Sequence, residues 1–205
     1  MRTIDVCPTP ELLPLYDLEG KIAVIVDILR ATSCMVTAIA HGIQSIIPVA
    51  SVEECKELQL EGYVAAAERD ARKVVGFDLD NSPFSYMNPA LRNKKLAVTT
   101  TNGTLAISKS LQAEQLLIGA FLNKSTVANY LLSQDADVVV VCAGWKGKIN
   151  LEDTLFAGAL VEALRNEFII EQDSALMAYT IYKAAKYNLF AYMAESSHVK
   201  RLQNL

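Results

Sequence analysis

The sequence predicts an α/β protein, a three-layer α/β/α sandwich with a mostly parallel, mixed sheet. Short apolar, β-branched runs alternate with segments of helical spacing along the chain. These runs are apolar on both faces, which is typical of parallel strands that helices cover from both sides. With 205 residues, 52% of them hydrophobic, the chain can bury a large core. We expect a single domain over 1–205, or two subdomains that share one sheet.

The predicted strands and helices follow one another in order. The first strand, 21–28, is apolar except for Asp27. The segment 51–62 begins with Ser51 and has Glu54 three residues later, which is the pattern of a helix capping box. The other predicted strands are 45–50, 63–68, 95–101, 115–121 and 137–144, and the other predicted helices are 30–42, 103–112, 123–134, 150–167 and much of 174–205.

Composition excludes several classes of protein. The net charge of −4 and the pI near 5.3 argue against a nucleic-acid binder, which needs a basic stripe to contact phosphates. The first residues are interrupted by prolines and acids and do not form a secretory signal, and no apolar run is long enough for a membrane span. The four cysteines are scattered without metal-ligand spacing. We therefore expect a cytoplasmic protein with reduced thiols and no membrane partner.

Histidine is scarce in this sequence. Only His41 and His198 occur, and neither has another candidate ligand near it in the sequence. This disfavours histidine-based zinc sites and Ser-His-Asp triads. We expect catalysis to depend on carboxylates, hydroxyls, cationic side chains or a hard metal ion.

Polar residues after the predicted strands are the candidate site residues, because ligands of open α/β sheets bind at the carboxyl ends of strands. Asp27 interrupts an apolar run, where a carboxylate is costly unless a cation or hydrogen bonds compensate it. It is either a catalytic or metal-binding carboxylate, or a helix cap and partner of Arg30. The planar fork of Arg30 suits phosphate, sulfonate or carboxylate, and the alternative is a salt bridge to Asp27 or Glu68.

Two further segments give candidates with similar alternatives. Glu68 and Arg69 follow the strand 63–68, and the loop after them contains Asp78, Asn81 and Ser82. Asp and Asn also stabilise such loops through bonds to their own backbone. Glu152 and Asp153 begin the helix 150–167, where the helix dipole favours acidic residues in any case.

The turn TTNGT, residues 100–104, combines hydroxyls, an amide and a flexible backbone. Asn102-Gly103 permits left-handed geometry, and the helix that follows presents unpaired N–H groups. The turn is therefore either an anion-binding cradle or a strand end with a threonine helix cap.

Two covalent mechanisms have weaker support. Cys142 and Lys148 have the spacing of a thiolate phosphatase loop, but lysine stands where that loop has arginine. A small buried cysteine is the simpler interpretation. Asp27 is placed as in aspartyl phosphatases, whose second aspartate is here Leu29.

The ordered segments VDILRATS (26–33), ERDARKVVGFDLDNSP (68–83), TTNGT (100–104) and CAGWKGKINLEDTLFAG (142–158) together resemble the 2-phosphosulfolactate phosphatase (ComB) family. The resemblance implies an α/β/α fold and a Mg²⁺-dependent phosphatase that removes phosphate from 2-phosphosulfolactate on the route to coenzyme M. The site residues that it implies are Asp27, Arg30, Glu68, Arg69, Asp78, Asn81, Ser82, Thr101, Asn102, Gly103, Thr104, Glu152 and Asp153.

The chain departs from the family pattern at three places. The family has roughly GERGG where this chain has Glu68-Arg69-Asp70-Ala71, and GFDLGNSP is here GFDLDNSP, with Asp80 in place of a glycine. Both aspartates add negative charge near a site for an anion. The sequence ends at SSHVKRLQNL, where we expect family members to continue for some tens of residues.

The leading hypothesis is metal-assisted hydrolysis of a small anionic phosphoester. In it, Asp27, Glu68 and one or more of Asp78, Glu152 and Asp153 hold Mg²⁺. Arg30, Arg69 and the TTNGT turn bind the phosphoryl oxygens and the second anionic group of the substrate. Attack by water is preferred over an aspartyl intermediate at Asp27. The alternatives are a non-catalytic anion-binding protein on the same scaffold and, third, a cysteine-dependent hydrolase. A homodimer is plausible for so apolar a chain.

Overall fold

The structure, a computed structural model, describes residues 1–69 and 72–203. It confirms the α/β class with mostly parallel sheets covered by helices. All six predicted strands are present, and two more strands occur. The strands are β1 (Ile4–Cys7), β2 (Ile22–Val26), β3 (Ser45–Pro48), β4 (Val64–Arg69), β5 (Arg72–Lys73), β6 (Lys95–Thr99), β7 (Gln115–Gly119) and β8 (Val138–Cys142).

The strands form two four-stranded sheets in the described part of the chain, where the sequence predicted one. The first sheet has the order β1-β8-β2-β7 and is parallel throughout. The second has the order β3-β6-β4-β5, in which only β5 runs antiparallel to its neighbour. Alternation of strands and helices predicts parallel strands, but it does not tell which strands pair with each other.

Strands β1 and β5 were not predicted because neither has the pattern of a buried strand. β1 has only four residues, includes Asp5 and is followed closely by Pro8. β5 consists of two exposed basic residues, Arg72 and Lys73, paired with the end of β4. Short elements of this kind depend on the neighbouring strand rather than on their own composition.

Eight α-helices occur in the described residues, and short 3₁₀ segments connect other elements. The α-helices are α1 (Ala31–Ala40), α2 (Val52–Leu60), α3 (Gly103–Lys109), α4 (Lys124–Leu132), α5 (Leu151–Leu164), α6 (Asp173–Ala185), α7 (Leu189–Met193) and α8 (Ser197–Gln203). The predicted cap of α2 is confirmed, since Ser51 Oγ accepts the Glu54 N–H at 3.0 Å. None of the helices described is long and apolar enough to cross a bilayer.

Three hydrophobic clusters arrange these elements in layers. One cluster packs α4, α5 and α6 on one face of the first sheet. A second cluster joins the other face of that sheet to the second sheet and takes in side chains of α1 and α3. The third packs α2 on the far face of the second sheet. Helices α1 and α3 therefore lie in a layer that packs against both sheets. Residues that follow strands of both sheets line one cavity, which is described below.

Candidate active site

A small polar cavity of about 20 Å³ lies where the carboxyl ends of strands from both sheets approach each other. Five of the predicted site residues line it: Asp27, Arg30, Glu68, Asn81 and Asn102. Trp145, His198 and the side chains of Leu29 and Leu202 close it. This volume holds about one water molecule or one ion.

Asp27 follows β2 directly and is buried, with its carboxylate fixed by the start of α1. Asp27 Oδ1 accepts the N–H of Ala31 at 3.2 Å, and the Thr32 hydroxyl donates to the backbone oxygen of Asp27 at 2.9 Å. Burial raises the pKa of Asp27 to about 6, and the nearby Glu68 and Glu152 act in the same direction while the Ala31 bond and His198 oppose it. The Asp27 carboxylate thus accepts an N–H at the start of α1 and also faces a polar cavity. The first contact is that of a helix cap, and the second is a position that a catalytic or metal-binding carboxylate requires.

Glu68 and Arg69 end β4 and point to neighbouring parts of the site. Glu68 is buried, and the Thr101 hydroxyl and N–H donate to its two oxygens over 3.4 and 3.5 Å. These bonds are long and therefore weak. Arg69 donates to the backbone oxygen of Glu68 at 2.7 Å and to the Thr99 hydroxyl at 3.0 Å.

The loop before Pro83 contributes only one of its predicted residues to the cavity. Asn81 is buried, and its Oδ1 atom has no hydrogen-bond partner in the described chain. The Ser82 N–H donates to Asp80 Oδ1 at 3.0 Å, and Ser82 does not line the cavity. The Asp80 carboxylate also accepts from the Ser85 hydroxyl at 2.7 Å, so it stabilises this loop. Asp70 lies outside the described residues.

Asp78, which was predicted as a possible metal ligand, lies outside the small cavity. Asp78 is exposed and follows Phe77 in a loop packed beside β4. Its Oδ2 atom accepts the N–H of Ala65 at 2.8 Å and the side-chain amide of Gln59 at 3.1 Å. The Asp78 carboxylate therefore accepts hydrogen bonds from one backbone donor and one side-chain donor beside the second sheet. This is the loop-stabilising role that the sequence analysis gave as the alternative to a site residue.

The TTNGT turn lies against Asp27. A Cβ atom on Gly103 would come within 2.7 Å of the Ala31 Cβ and 3.0 Å of Asp27 Oδ2, so only glycine allows this approach. Asn102 lines the cavity and its Oδ1 accepts the N–H of Lys146 at 3.2 Å. The Thr104 hydroxyl donates to the backbone oxygen of Thr100 at 2.8 Å, which is a local cap.

A second opening of about 230 Å³ adjoins this turn. It is lined by Arg69 together with hydroxyls of Thr100, Thr101, Thr104 and Ser108. The Arg69 guanidinium supplies a positive charge suited to an anionic group, whereas the hydroxyls of Thr101, Thr104 and Ser108 already donate to Glu68, Thr100 and Leu105. Glu68 accepts from Thr101 in this groove and also lines the small cavity, so the two openings are neighbours.

Glu152 and Asp153 have separate structural partners, which the sequence did not indicate. Asp153 accepts the N–H groups of Ile28 at 2.9 Å and Gly144 at 3.0 Å, and burial beside Asp27 and Glu152 raises its pKa well above the usual range. Glu152 is fully buried. The structure therefore places both carboxylates behind Asp27, bonded to protein groups, and neither lines the cavity.

His198 is the main residue that the sequence analysis missed. It is buried in α8 and its Nδ1 lies 2.5 Å from Glu152 Oε1. Its ring lies on Trp145 with the ring centres 5.4 Å apart. The sequence contained no pattern for this contact, because a carboxylate–histidine pair 46 positions apart has no characteristic spacing.

Cys142 lies at the end of β8 and is completely buried in the apolar cluster beneath α5. Burial and the nearby Asp153 raise its pKa well above the usual value. A nucleophilic cysteine requires a thiolate in contact with substrate. This environment favours the interpretation of Cys142 as a small buried apolar residue.

Within residues 1–69 and 72–203, no group of three or more His, Cys, Asp or Glu side chains is arranged to hold a metal ion.

Comparison with known proteins gives consistent results over nearly the whole chain. The family model for 2-phosphosulpholactate phosphatase matches residues 7–205. A protein of Caldanaerobacter subterraneus named "Probable 2-phosphosulfolactate phosphatase" is 41% identical over 92% of this chain and 80% of its own length. Proteins with the same name from Thermotoga maritima and Clostridium beijerinckii are 39% and 38% identical, over 95% and 92% of this chain and 84% and 81% of their own lengths.

Proposed function

The chain belongs to the 2-phosphosulfolactate phosphatase family, a family of phosphoric monoester hydrolases, and on this premise we propose that it hydrolyses 2-phosphosulfolactate with Mg²⁺. The observation that carries the proposal is the meeting of Asp27, Arg30, Glu68, Asn81 and Asn102 in one cavity. These residues come from different strand ends of two sheets. The sequence analysis selected Arg30, Asn81 and Asn102 as groups that bind an anion. It selected Asp27 and Glu68 as carboxylates that bind a cation.

The cavity has room for about one ion, so the phosphoryl group binds at the edge of the cavity to its cationic and amide groups, rather than inside it. Arg30 is half-buried at the start of α1, and its planar fork matches two phosphoryl oxygens. The Asn102 side chain is held by the Lys146 N–H through its oxygen, so its NH₂ group remains to donate to an anion. Donors fixed in this way stabilise the charge that develops on the phosphoryl oxygens in the transition state.

The second anionic group of the substrate fits the groove formed by Arg69 and the threonine hydroxyls. The lining contains one permanent positive charge and four hydroxyls, and the groove volume of about 230 Å³ admits a sulfonate or carboxylate. Because the groove adjoins the small cavity at Glu68 and Thr101, one small substrate can reach both. This arrangement favours a compact phosphoester with a further negative charge.

The buried oxygens of the cavity fit a Mg²⁺ ion. Asn81 Oδ1 is buried without a partner in the described residues, which is costly unless a ligand satisfies it. Asp27 and Glu68 add two buried carboxylates, and the charge of Glu68 raises the pKa of Asp27. We propose that Asp27, Glu68 and Asn81 Oδ1 hold the ion. When bound, Mg²⁺ neutralises phosphoryl charge and makes a water more acidic.

The attacking nucleophile is a water molecule in this proposal. The cavity carboxylates of Asp27 and Glu68 orient the water and accept its proton as its oxygen bonds to phosphorus. An aspartyl intermediate at Asp27 is the alternative. Asp27 Oδ1 is held by the Ala31 N–H and Oδ2 lies against the TTNGT turn, which restricts the approach of either oxygen to phosphorus.

Phosphate release from 2-phosphosulfolactate tests the proposal, measured with Mg²⁺ and with EDTA. We expect release that stops in EDTA and in Asp27→Asn, and that continues in Asp78→Asn, which removes a carboxylate outside the cavity. If the wild type releases no phosphate but 2-phosphosulfolactate raises its melting temperature, the protein is a non-catalytic anion binder on this scaffold.

A further inference from the structure

A histidine lies among the carboxylates of the cavity. His198 is 5% exposed and lines the cavity together with Asp27 and Glu68. It belongs to α8, an element separate from the strand ends that supply the other cavity residues. The residue is therefore placed to contact whatever occupies the cavity.

The hydrogen bonds of His198 fix one ring nitrogen and leave the other for the cavity. Nδ1 lies 2.5 Å from Glu152 Oε1, and Asn150 Nδ2 is 3.3 Å from the same atom. The shorter contact identifies Nδ1–H as the donor to the carboxylate, because the Asn150 amide competes only at a long distance. Within the part of the chain that the structure describes, Nε2 makes no hydrogen bond to protein.

The groups around His198 hold the ring in this orientation. Glu152 is fully buried, and its second oxygen accepts from the Ser196 hydroxyl at 3.3 Å. The ring also lies on Trp145, whose own ring has the Arg201 guanidinium 4.4 Å from its centre. A buried carboxylate that accepts from Nδ1–H fixes the tautomer and the orientation of the ring, so the hydrogen-bonding capacity of Nε2 remains for a group bound at the cavity.

We propose that His198 is the general acid of the hydrolysis and that Glu152 positions it; this rests on the phosphatase function proposed above. As the bond between phosphorus and the ester oxygen breaks, Nε2–H gives its proton to that oxygen, which leaves as an alcohol. Water supplies the new oxygen on phosphorus and loses one proton to a cavity carboxylate. That proton passes to solvent and the ring regains one from solvent, so one water is consumed for each ester.

Among the described residues, no other side chain that lines the cavity suits this step as well. Arg30 keeps its proton in proteins, and Asn81 and Asn102 donate hydrogen bonds without transferring a proton. Asp27 and Glu68 are assigned to the cation and the water. An alkoxide is a poor leaving group unless it is protonated as the bond breaks, so the reaction needs such an acid.

The test compares two esters that differ in their need for an acid. The leaving group of 2-phosphosulfolactate is a poor alkoxide unless it is protonated, whereas the leaving group of p-nitrophenyl phosphate is a stable phenolate that needs little protonation. We expect His198→Ala to lower kcat for 2-phosphosulfolactate by about 100-fold and to change kcat for p-nitrophenyl phosphate by less than about threefold. Free imidazole should restore part of the lost activity, and Glu152→Gln should show the same selective loss to a smaller extent.

The controls separate this role from a structural one. His41→Ala removes the only other histidine, which is exposed after α1, and should leave both rates unchanged. Equal losses on both esters without rescue by imidazole, or no loss on 2-phosphosulfolactate, would overturn the role of His198 while the phosphatase function stands. A wild-type protein that hydrolyses neither ester would overturn the phosphatase function and the role of His198 together.

Discussion

Asp153 Oδ1 accepts a hydrogen bond from the backbone N–H of Ile28 at 2.9 Å, across 125 positions of the chain. Asp153 Oδ2 accepts the N–H of Gly144 at 3.0 Å. One buried carboxylate at the start of α5 thus joins the ends of β2 and β8, directly beside Asp27. This explains an acidic residue at this helix start better than the helix dipole does, because both oxygens have specific partners.

We expect Asp153→Asn to lower the free energy of unfolding by about 1–3 kcal/mol. The asparagine amide has only one oxygen, so its NH₂ group would face one of the two backbone N–H groups, and that N–H would lose its hydrogen-bond acceptor. Urea unfolding measures the change. Asp173→Asn, in the first turn of α6 and exposed, is the matched control and should change stability by less than about 0.5 kcal/mol. Equal stability of both variants would contradict the bridging role.

The proposed Mg²⁺ site predicts a stabilisation of the folded protein that does not depend on turnover. An ion that binds only the folded protein raises the melting temperature as its concentration increases. We expect Mg²⁺ to raise the melting temperature of the wild type and to have no such effect on Asp27→Asn or Glu68→Gln. Asp78→Asn should respond as the wild type does, because its carboxylate bonds to Ala65 and Gln59 instead. A response that is lost only in Asp78→Asn would reverse this assignment.

Gly103→Ala should reduce both stability and activity. The new Cβ would come within 2.7 Å of the Ala31 Cβ and 3.0 Å of Asp27 Oδ2, so α1 or the carboxylate must move. We expect a loss of about 1–3 kcal/mol in unfolding free energy, typical of an overpacked site, and a weaker Mg²⁺ effect. Lys109→Ala changes an exposed residue of the same helix that lines neither opening, and it serves as the reference. Normal Mg²⁺ binding by Gly103→Ala would show that the turn does not position Asp27.

The four thiols should be inert in the folded protein. All four cysteines are buried, and burial raises the pKa of Cys7 to about 12 and raises the pKa values of Cys34, Cys55 and Cys142. A raised thiol pKa leaves little thiolate at pH 8, and the thiolate is the reactive form. We expect iodoacetamide to leave the native enzyme active and to label the thiols only in urea. Inactivation by labelling of Cys142 in the native protein would support a cysteine-dependent hydrolase.

The sequence predicts the fold class and six of the eight strands in the described residues, because apolar strands and amphipathic helices have local periodicities. It also places Asp27, Glu68 and Asn102 at strand ends, and the structure brings these residues to one cavity because strand ends converge in this class of fold. It does not predict the division into two sheets, because strand pairing is not local. For Asp78 the sequence shows an acidic loop residue, and only the packing of the loop on β4 shows that Ala65 is its partner.

The role of His198 is the clearest case of information that the sequence lacks. The sequence contains only two histidines, and this small number disfavours histidine-based triads. The composition of residues 174–205 indicates a helix and gives no sign of a site residue. The residue becomes interpretable when α8 places it against Glu152. A single histidine can serve in proton transfer when the fold, rather than a motif, supplies its carboxylate partner.

The helix layer shared by the two sheets also has a consequence for ion selectivity. Asp27 extends from the first sheet and Glu68 from the second, and side chains such as Met35 of α1 and Ile107 of α3 fill the space between the sheets. The separation of the two carboxylates therefore depends on the volume of apolar side chains that do not line the small cavity. Relatives with identical cavity residues but larger or smaller side chains in this layer should prefer ions of different radius.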